Sequence, residues 1–354
     1  MKTAEIIEQK VSDAPAFEAH LFLTKRRALA VIVLLCILLS GAVVFSLAVG
    51  SEPIALGEIV AGLWAKLTGA PQPLTREHEV IIFSLRLPRL ALALGVGASL
   101  AVAGAAFQSL LRNPLADPYV LGISSGAALG SILAIIFLHQ APLSRPLCGF
   151  AGAAITTVLV YWLGRREDEP ARLLLAGVIV TTFLSSVIVM LTVVADDVRL
   201  RNITIWLLGD LSSGSVQGLA IIAAAVMMGA TVLVSQARAL NLMMIGERDA
   251  FALGVETARV RWVVFFTASL LTGAAVSAGG AIGYVGLVVP HLVRLAAGAD
   301  NRLVIPASAL TGAWLVLVAD TAARTLMAPR ELPTGAITAL IGAPLFIYLL
   351  MKGR

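Results

Sequence analysis

"QSLLRNPLADPYVLGISSGAALG", residues 108–130, sets two prolines, an asparagine and an aspartate between runs of Leu, Ala, Val and Gly. Pro114 and Pro118 remove backbone donors, and Arg112, Asn113 and Asp117 seek water, so the chain leaves an apolar medium here and re-enters it. Composition identifies the medium. The chain is 59% hydrophobic and 13% charged, against about a quarter charged in a soluble domain, and its mean hydropathy is +0.94. No soluble fold hides that much apolar surface. Because the apolar runs are about 20 residues long and do not alternate, they read as helices, and the fold class is an all-α integral membrane protein. Cys36 and Cys148 lie in or beside these runs and read as small apolar residues, with neither disulfide nor metal in view.

About ten runs follow one another, near 28–50, 80–111, 119–138, 146–164, 171–195, 216–236, 260–280, 281–298, 303–327 and 334–352. The seventh and eighth are parted by little more than SAGGAIG, which leaves nine spans and one re-entrant piece as the alternative. Residues 1–24 mix acids and bases and lack the apolar core and cleavage site of a secretory signal. They read as a cytosolic tail ahead of a single transmembrane domain, 25–354. With ten spans and a cytosolic start, 17 of the 26 Lys and Arg fall inside and nine outside, which places both termini in the cytosol. The net charge of +5 then follows from topology, with no nucleic-acid partner required.

Small residues mark close helix packing. Gly122, Gly126 and Gly130 recur every four residues on one face, and Gly279 and Gly283 repeat the spacing. "GASLAVAG" at 97–104 and "GAAVSAGG" at 273–280 share Gly, Ala and Gly at equal offsets in spans expected to run in opposite directions, a faint inverted repeat.

Several chemistries are missing from the sequence. There is no G-x-x-x-x-G-K-[ST] phosphate loop, so the chain is not expected to hydrolyse nucleotide or to act as an enzyme. His20, His78, His139 and His291 are scattered, so neither metal nor cofactor is expected. Mid-membrane carboxylates of the kind an ion-coupled carrier uses are scarce; the clear one is Asp320, with Arg324 a helical turn away as its ion-pair partner. The longest cytosolic connection, 236–261, alternates Leu240, Leu242, Met243, Met244, Phe251 and Leu253 with Glu247, Arg248, Asp249 and Glu256. It reads as two short amphipathic helices around Gly246, either lying under the membrane or docking a cytosolic protein.

The blocks "LRLPRLALALGVGASLAVAGAAFQSLLRNPLADPYVLGISSGAALG", "LNLMMIGERDAFALGV", "GAIGYVGLVVPHLVRL" and "ELPTGAITALIGAPLFIYLL", in that order from about residue 80 to the C-terminus, resemble the permeases of ATP-binding-cassette importers for ferric siderophores, haem and cobalamin. The resemblance implies the type II importer permease fold: a homodimer of ten-helix subunits in the bacterial inner membrane, two cytosolic ATPase subunits, and a periplasmic substrate-binding protein. It implies a gate at Asn113 and Leu115, ATPase coupling through 237–260 with Gly246 and Gly254 as bends and Glu247 and Arg248 facing the partner, and binding-protein docking at Arg86, Arg89 and Arg324. The fifth span, with "DDVRLRNITIWLLGD" at its outer end, is similar to the stretch that lines the route. The cargo is a metal chelate, with an iron chelate favoured. The other class that fits ten spans is an ion-coupled secondary transporter.

Overall fold

The computed structural model describes residues 25–50, 52–138, 143–164, 170–212 and 216–352; the expected tail, 1–24, lies outside them. Helices are the regular structure of the described residues, with no strand among them. The helices are α1 (Lys25–Ala48), α2 (Leu56–Thr68), α3 (Arg76–Glu79), α4 (Leu87–Leu110), α5 (Ile123–Phe137), α6 (Ser144–Gly164), α7 (Pro170–Val194), α8 (Asp197–Leu207), α9 (Val216–Ser235), α10 (Ala237–Ile245), α11 (Glu247–Ala252), α12 (Thr257–Gly279), α13 (Val285–Ala297), α14 (Asn301–Thr325) and α15 (Thr334–Lys352). Each expected span falls on an apolar helix. Six are long and apolar enough to cross a bilayer, or seven if α9 and α10, bent by 51° at their junction, count as one; α5, α13 and α15 are shorter.

α3 runs through a π-helical stretch, Val80–Arg86, into α4, so this span begins near residue 76 rather than 80. Pro88 explains the wide turn. A proline inside a helix lacks a donor and collides with the carbonyl four residues back, and a π-turn before it absorbs the misfit.

α4 is the centre of the molecule. From Val96 to Leu110 every residue is buried, as expected of a helix that is apolar on all sides. Its neighbours are α14, α12, α13 and α9. In lipid, helices gain little from burying apolar surface against one another, so packing depends on small residues that let backbones meet. A Cβ on Gly97 would lie 2.2 Å from the Gly312 carbonyl oxygen of α14, and one on Gly104 would lie 1.9 Å from that of Gly286 on α13. The expected glycine face on α5 behaves the same way: Cβ atoms on Gly126 and Gly130 would strike Thr156 and the Cys148 carbonyl of α6. Gly122, by contrast, is the left-handed residue (φ +78°) that starts α5. Gly279 is closely packed against Leu211 and Val96, but Gly283 has nothing within 4 Å and sits in the 280–284 connection, so the second glycine pair is not a packing face.

The exterior is apolar. α1 has no buried residue before Ser46, and α7 exposes Phe183, Val189, Met190 and Val193. Both cysteines are free; Cys36 is exposed on α1 and Cys148 is half-buried. Elements separate cleanly between two ends. One gathers the ends of α1 and α14 with the starts of α4 and α15; the other gathers the ends of α4 and α13 with the start of α14 and with α10.

Gly104→Val is expected to cost about 3 kcal/mol or more, because the neighbour it meets is backbone and cannot rotate away. Gly283→Ala should stay within about 0.5 kcal/mol. Thermal unfolding of the two purified variants in detergent checks the contrast.

Candidate functional site

The turn quoted at the outset is two β-turns in series. Asn113 Oδ1 accepts from Leu115 N at 2.9 Å and the Asn113 carbonyl from Ala116 N at 3.0 Å; Asp117 repeats both bonds with Tyr119 N (2.9 Å) and Val120 N (3.0 Å). Asn-Pro and Asp-Pro suit this pattern, since proline presets φ at the second turn position while the Asx side chain reaches the third amide. The turn is tied to α4 by Asn113 N donating to the Gln108 carbonyl, and Arg112 takes a left-handed φ of +50° at the exit. The two expected gate residues therefore differ. Asn113 is half-buried with its side-chain oxygen committed to the turn, whereas Leu115 is the projecting apolar tip, 47% exposed. Asp117 is buried, and burial pushes its carboxyl up to about 6 against the opposing effect of the Tyr119 amide.

The three arginines expected to face outward meet at the opposite end. Asp320 is fully buried and accepts from Arg89 Nε (2.8 Å), Arg324 Nε (3.1 Å) and Thr334 Oγ1 (3.2 Å). Arg324 also donates to Ser46 Oγ at 2.9 Å. Arg86, in the π-helical stretch, is buried and donates to the carbonyls of Leu47 and Glu52, pinning the chain just after α1. Arg86 and Arg324 are thus held by internal partners, 7% and 9% exposed. Arg89 is covered to the same degree as Arg324, each side chain 11% exposed, and its second partner is Glu331 (2.7 Å), whose side chain is 51% exposed. The Asp320–Arg324 pair is as expected, but Arg89, Thr334 and Ser46 complete it from helices distant in sequence.

In the 237–260 segment the two short helices stand on either side of Gly246 as expected. α10 buries Ala237, Leu240 and Met243 against the bundle. Ile245, Phe251 and Leu253 point out, with Phe251 71% exposed, and Arg248 is exposed among them. Two expectations change. Glu247 is half-buried and ion-paired with Arg261 of α12, so it faces inward. Gly246 has φ 169°, extended backbone that any residue adopts. Gly254, at φ +86°, does require glycine and ends α11.

A second polar cluster, which sequence reasoning missed, ties α10 to the bundle. Asn301, fully buried at the start of α14, bonds Asn241 of α10, Ser109 of α4 and Arg294 of α13. Among the described residues no group of three or more His, Cys, Asp or Glu is placed to hold a metal.

Residues 35–352 match the FecCD transport family. The chain belongs to that family. The match reaches back through α1, further than the motif blocks alone. The chain is 40% identical over 280 residues to the hemin transport system permease protein HmuU of Yersinia pestis, covering 77% of this chain and 84% of that one. It is 44% identical over 274 residues to the cobalamin import system permease protein BtuC of Halobacterium salinarum, covering 77% and 73%. A solved structure described as an inward-facing conformation of a metal-chelate type ABC transporter superposes with a TM-score of 0.81 at 33% identity, over 91% of this chain and 99% of that one. The chain is a multi-pass permease subunit of the ATP-binding-cassette importer class.

Asp320→Asn keeps the shape but leaves two guanidiniums without their shared carboxylate, and is expected to cost about 3–5 kcal/mol. Glu331→Gln, at the exposed edge, should cost less than about 1 kcal/mol. Unfolding of the two variants in one detergent compares them directly. For Asp117 the folded chain holds a proton between about pH 4 and 6 that the unfolded chain has released, so stability falls as pH rises through that window. Relative to Asp117→Asn, the wild type should lose about 2–3 kcal/mol from pH 4 to 7, read from urea unfolding at stepped pH.

Proposed function

We propose that two copies of this chain form the membrane pathway of an importer for a metal chelate. Two cytosolic ATPase subunits sit beneath the dimer, and an external binding protein delivers the cargo. The observation that carries the reading is the separation of two unlike surfaces to opposite ends: an apolar tip with exposed Arg238 and Arg248 on α10–α11, and an arginine cluster whose exposed edge is Glu331, paired with Arg89. The first suits a folded cytosolic protein. The second suits carboxylates, because a guanidinium takes them bidentately.

With the N-terminus in the cytosol, the arginine end faces outward, and the chain lies in the bacterial inner membrane with both termini inside. The relatives named for hemin transport and cobalamin import support a metal chelate as cargo, and the family as a whole favours an iron chelate. An ion-coupled carrier is the weaker reading, since the buried carboxylate it would use, Asp320, is already held between Arg89 and Arg324.

Leu115 is the gate element and Asn113 the residue that shapes it. Leu115→Ala should raise passive leak of a small solute through the dimer in liposomes without ATP; a merely packed leucine would instead lower thermal stability and leave leak unchanged.

Phe251→Asp and Arg248→Glu should release the ATPase subunits on co-purification, and retained subunits would overturn the coupling surface. Arg89→Glu should weaken binding-protein docking, and an acidic-to-basic change on the binding protein should restore part of it by a margin that shrinks with salt. Binding of ferric siderophore, haem and cobalamin to the purified binding protein assigns the cargo.

A further inference from the structure

The polar cluster at the α10 end has more bonds than packing requires. Asn301 Oδ1 accepts from Ser109 Oγ (2.7 Å) and Arg294 Nη2 (3.0 Å), while its Nδ2 donates to Asn241 Oδ1 (2.9 Å) and Met244 Sδ (3.4 Å). Its backbone amide also donates to Asn241 Oδ1 at 2.9 Å. Asn241 Nδ2 in turn donates to Asp300 Oδ1 (2.7 Å), the carboxylate that caps α14 through Arg302 N. Arg294 closes the group, donating to Ser109 Oγ (2.7 Å) and to the carbonyls of Ala105 and Ala299 (both 3.2 Å). The side chains of four helices, α4, α10, α13 and α14, are joined in one cluster.

Apolar contacts between helices slide at little cost, but buried hydrogen bonds do not, because each broken partner is left unsatisfied. The 51° bend between α9 and α10 frees α10 from the axis of its span and lays it against this cluster. Ser109 lies in the last turn of α4, and the next residues are bonded onward: Asn113 N donates to the carbonyl of Gln108, whose Nε2 donates to the Leu287 carbonyl of α13 at 2.9 Å.

We infer that Asn241, Asn301 and Arg294 are positioning residues that clamp α10 to the last turn of α4, so that a displacement of α10–α11 by the ATPase moves the turn 111–122 and its tip at Leu115. The clamp rests on the reading of α10–α11 as the ATPase surface. Rigid connection is the requirement for passing a displacement between sites, and a cluster whose donors and acceptors are this fully engaged provides it.

The test uses the assembled importer in proteoliposomes, on a Cys36→Ala, Cys148→Ala background with a spin label on Leu115→Cys in each copy, and compares label-to-label distances with and without ATP and vanadate. In the intact clamp the distance distribution should shift on ATP trapping. In Asn241→Ala and in Asn301→Ala the ATPase rate should stay within about twofold while the shifted fraction falls about three- to tenfold. The double variant should be no worse than the worse single, as for residues acting as one unit. A shift that survives in both variants overturns the clamp, as do additive losses that merely track thermal stability. Should Asn301→Ala fail to assemble, Asn241→Ala and Ser109→Ala carry the test, the second because alanine keeps the packing and removes one hydroxyl. Retention of the ATPase by Phe251→Asp marks failure of the underlying reading. Its release by Phe251→Asp, with clamp variants that respond like the wild type, marks failure of the clamp alone.

Discussion

Burial of α4 on every side is the constraint on which the rest of the structure depends. A helix enclosed over Val96–Leu110 has no face for water or lipid, and it must approach several neighbours at backbone distance. Glycine is what allows this, at Gly97 against Gly312 and at Gly104 against Gly286. The two crossings lie seven residues apart, on one side of α4, and fix α14 and α13 relative to it. Apart from Ser99, the polar residues of α4 stand at its ends. Arg89 stands at one, Gln108 and Ser109 at the other, and each belongs to a network that includes α14.

At the arginine end, cost and function pull in different directions. Charges within a helical bundle are expensive unless paired. Asp320 meets that cost by accepting from Arg89, Arg324 and Thr334 together, and Arg86 meets it with backbone carbonyls left over after the last turn of α1. A lysine could not replace these arginines, because the bonds diverge from a planar fork to acceptors on separate elements. Within this cluster the exposed member is Glu331, paired with Arg89. All three guanidiniums hold the rim in shape, and the charge at its exposed edge is the Glu331 carboxylate.

Much of this was legible in the sequence because the signals were local. Apolar run length placed an apolar helix at each expected run, the Asx-Pro doublets announced the turn, the four-residue glycine spacing of Gly126 and Gly130 announced a close helix contact, and the motif blocks carried the family. What was illegible depends on residues far apart in the chain. Arg86 binds carbonyls 39 and 34 residues earlier, and no rule of spacing points to them. Asn301 and Asn241 are separated by 60 residues, with only an asparagine in an otherwise apolar helix as a hint. Glycine misled twice for a related reason. Gly283 fits a packing spacing but falls in a connection, and Gly246 sits at a break without adopting a backbone that needs it. Residue type shows what a position allows, while the tertiary fold decides whether that freedom is used.

The two networks share α4 and α14, and that makes the helix pair a rod with a fastening at each end. Between the fastenings the contacts are glycine and alanine, which tolerate rotation poorly because backbone meets backbone. Bending or sliding is therefore excluded from the middle of the rod and concentrated beyond its ends, in the turn 111–122 on one side and in the loop held by Arg86 on the other. The turn itself is stiffened by two Asx bonds and two prolines, which hold Leu115 at its tip. For a permease this layout leaves few polar groups along the length of the pair and gathers them, with the turn, at the two mouths.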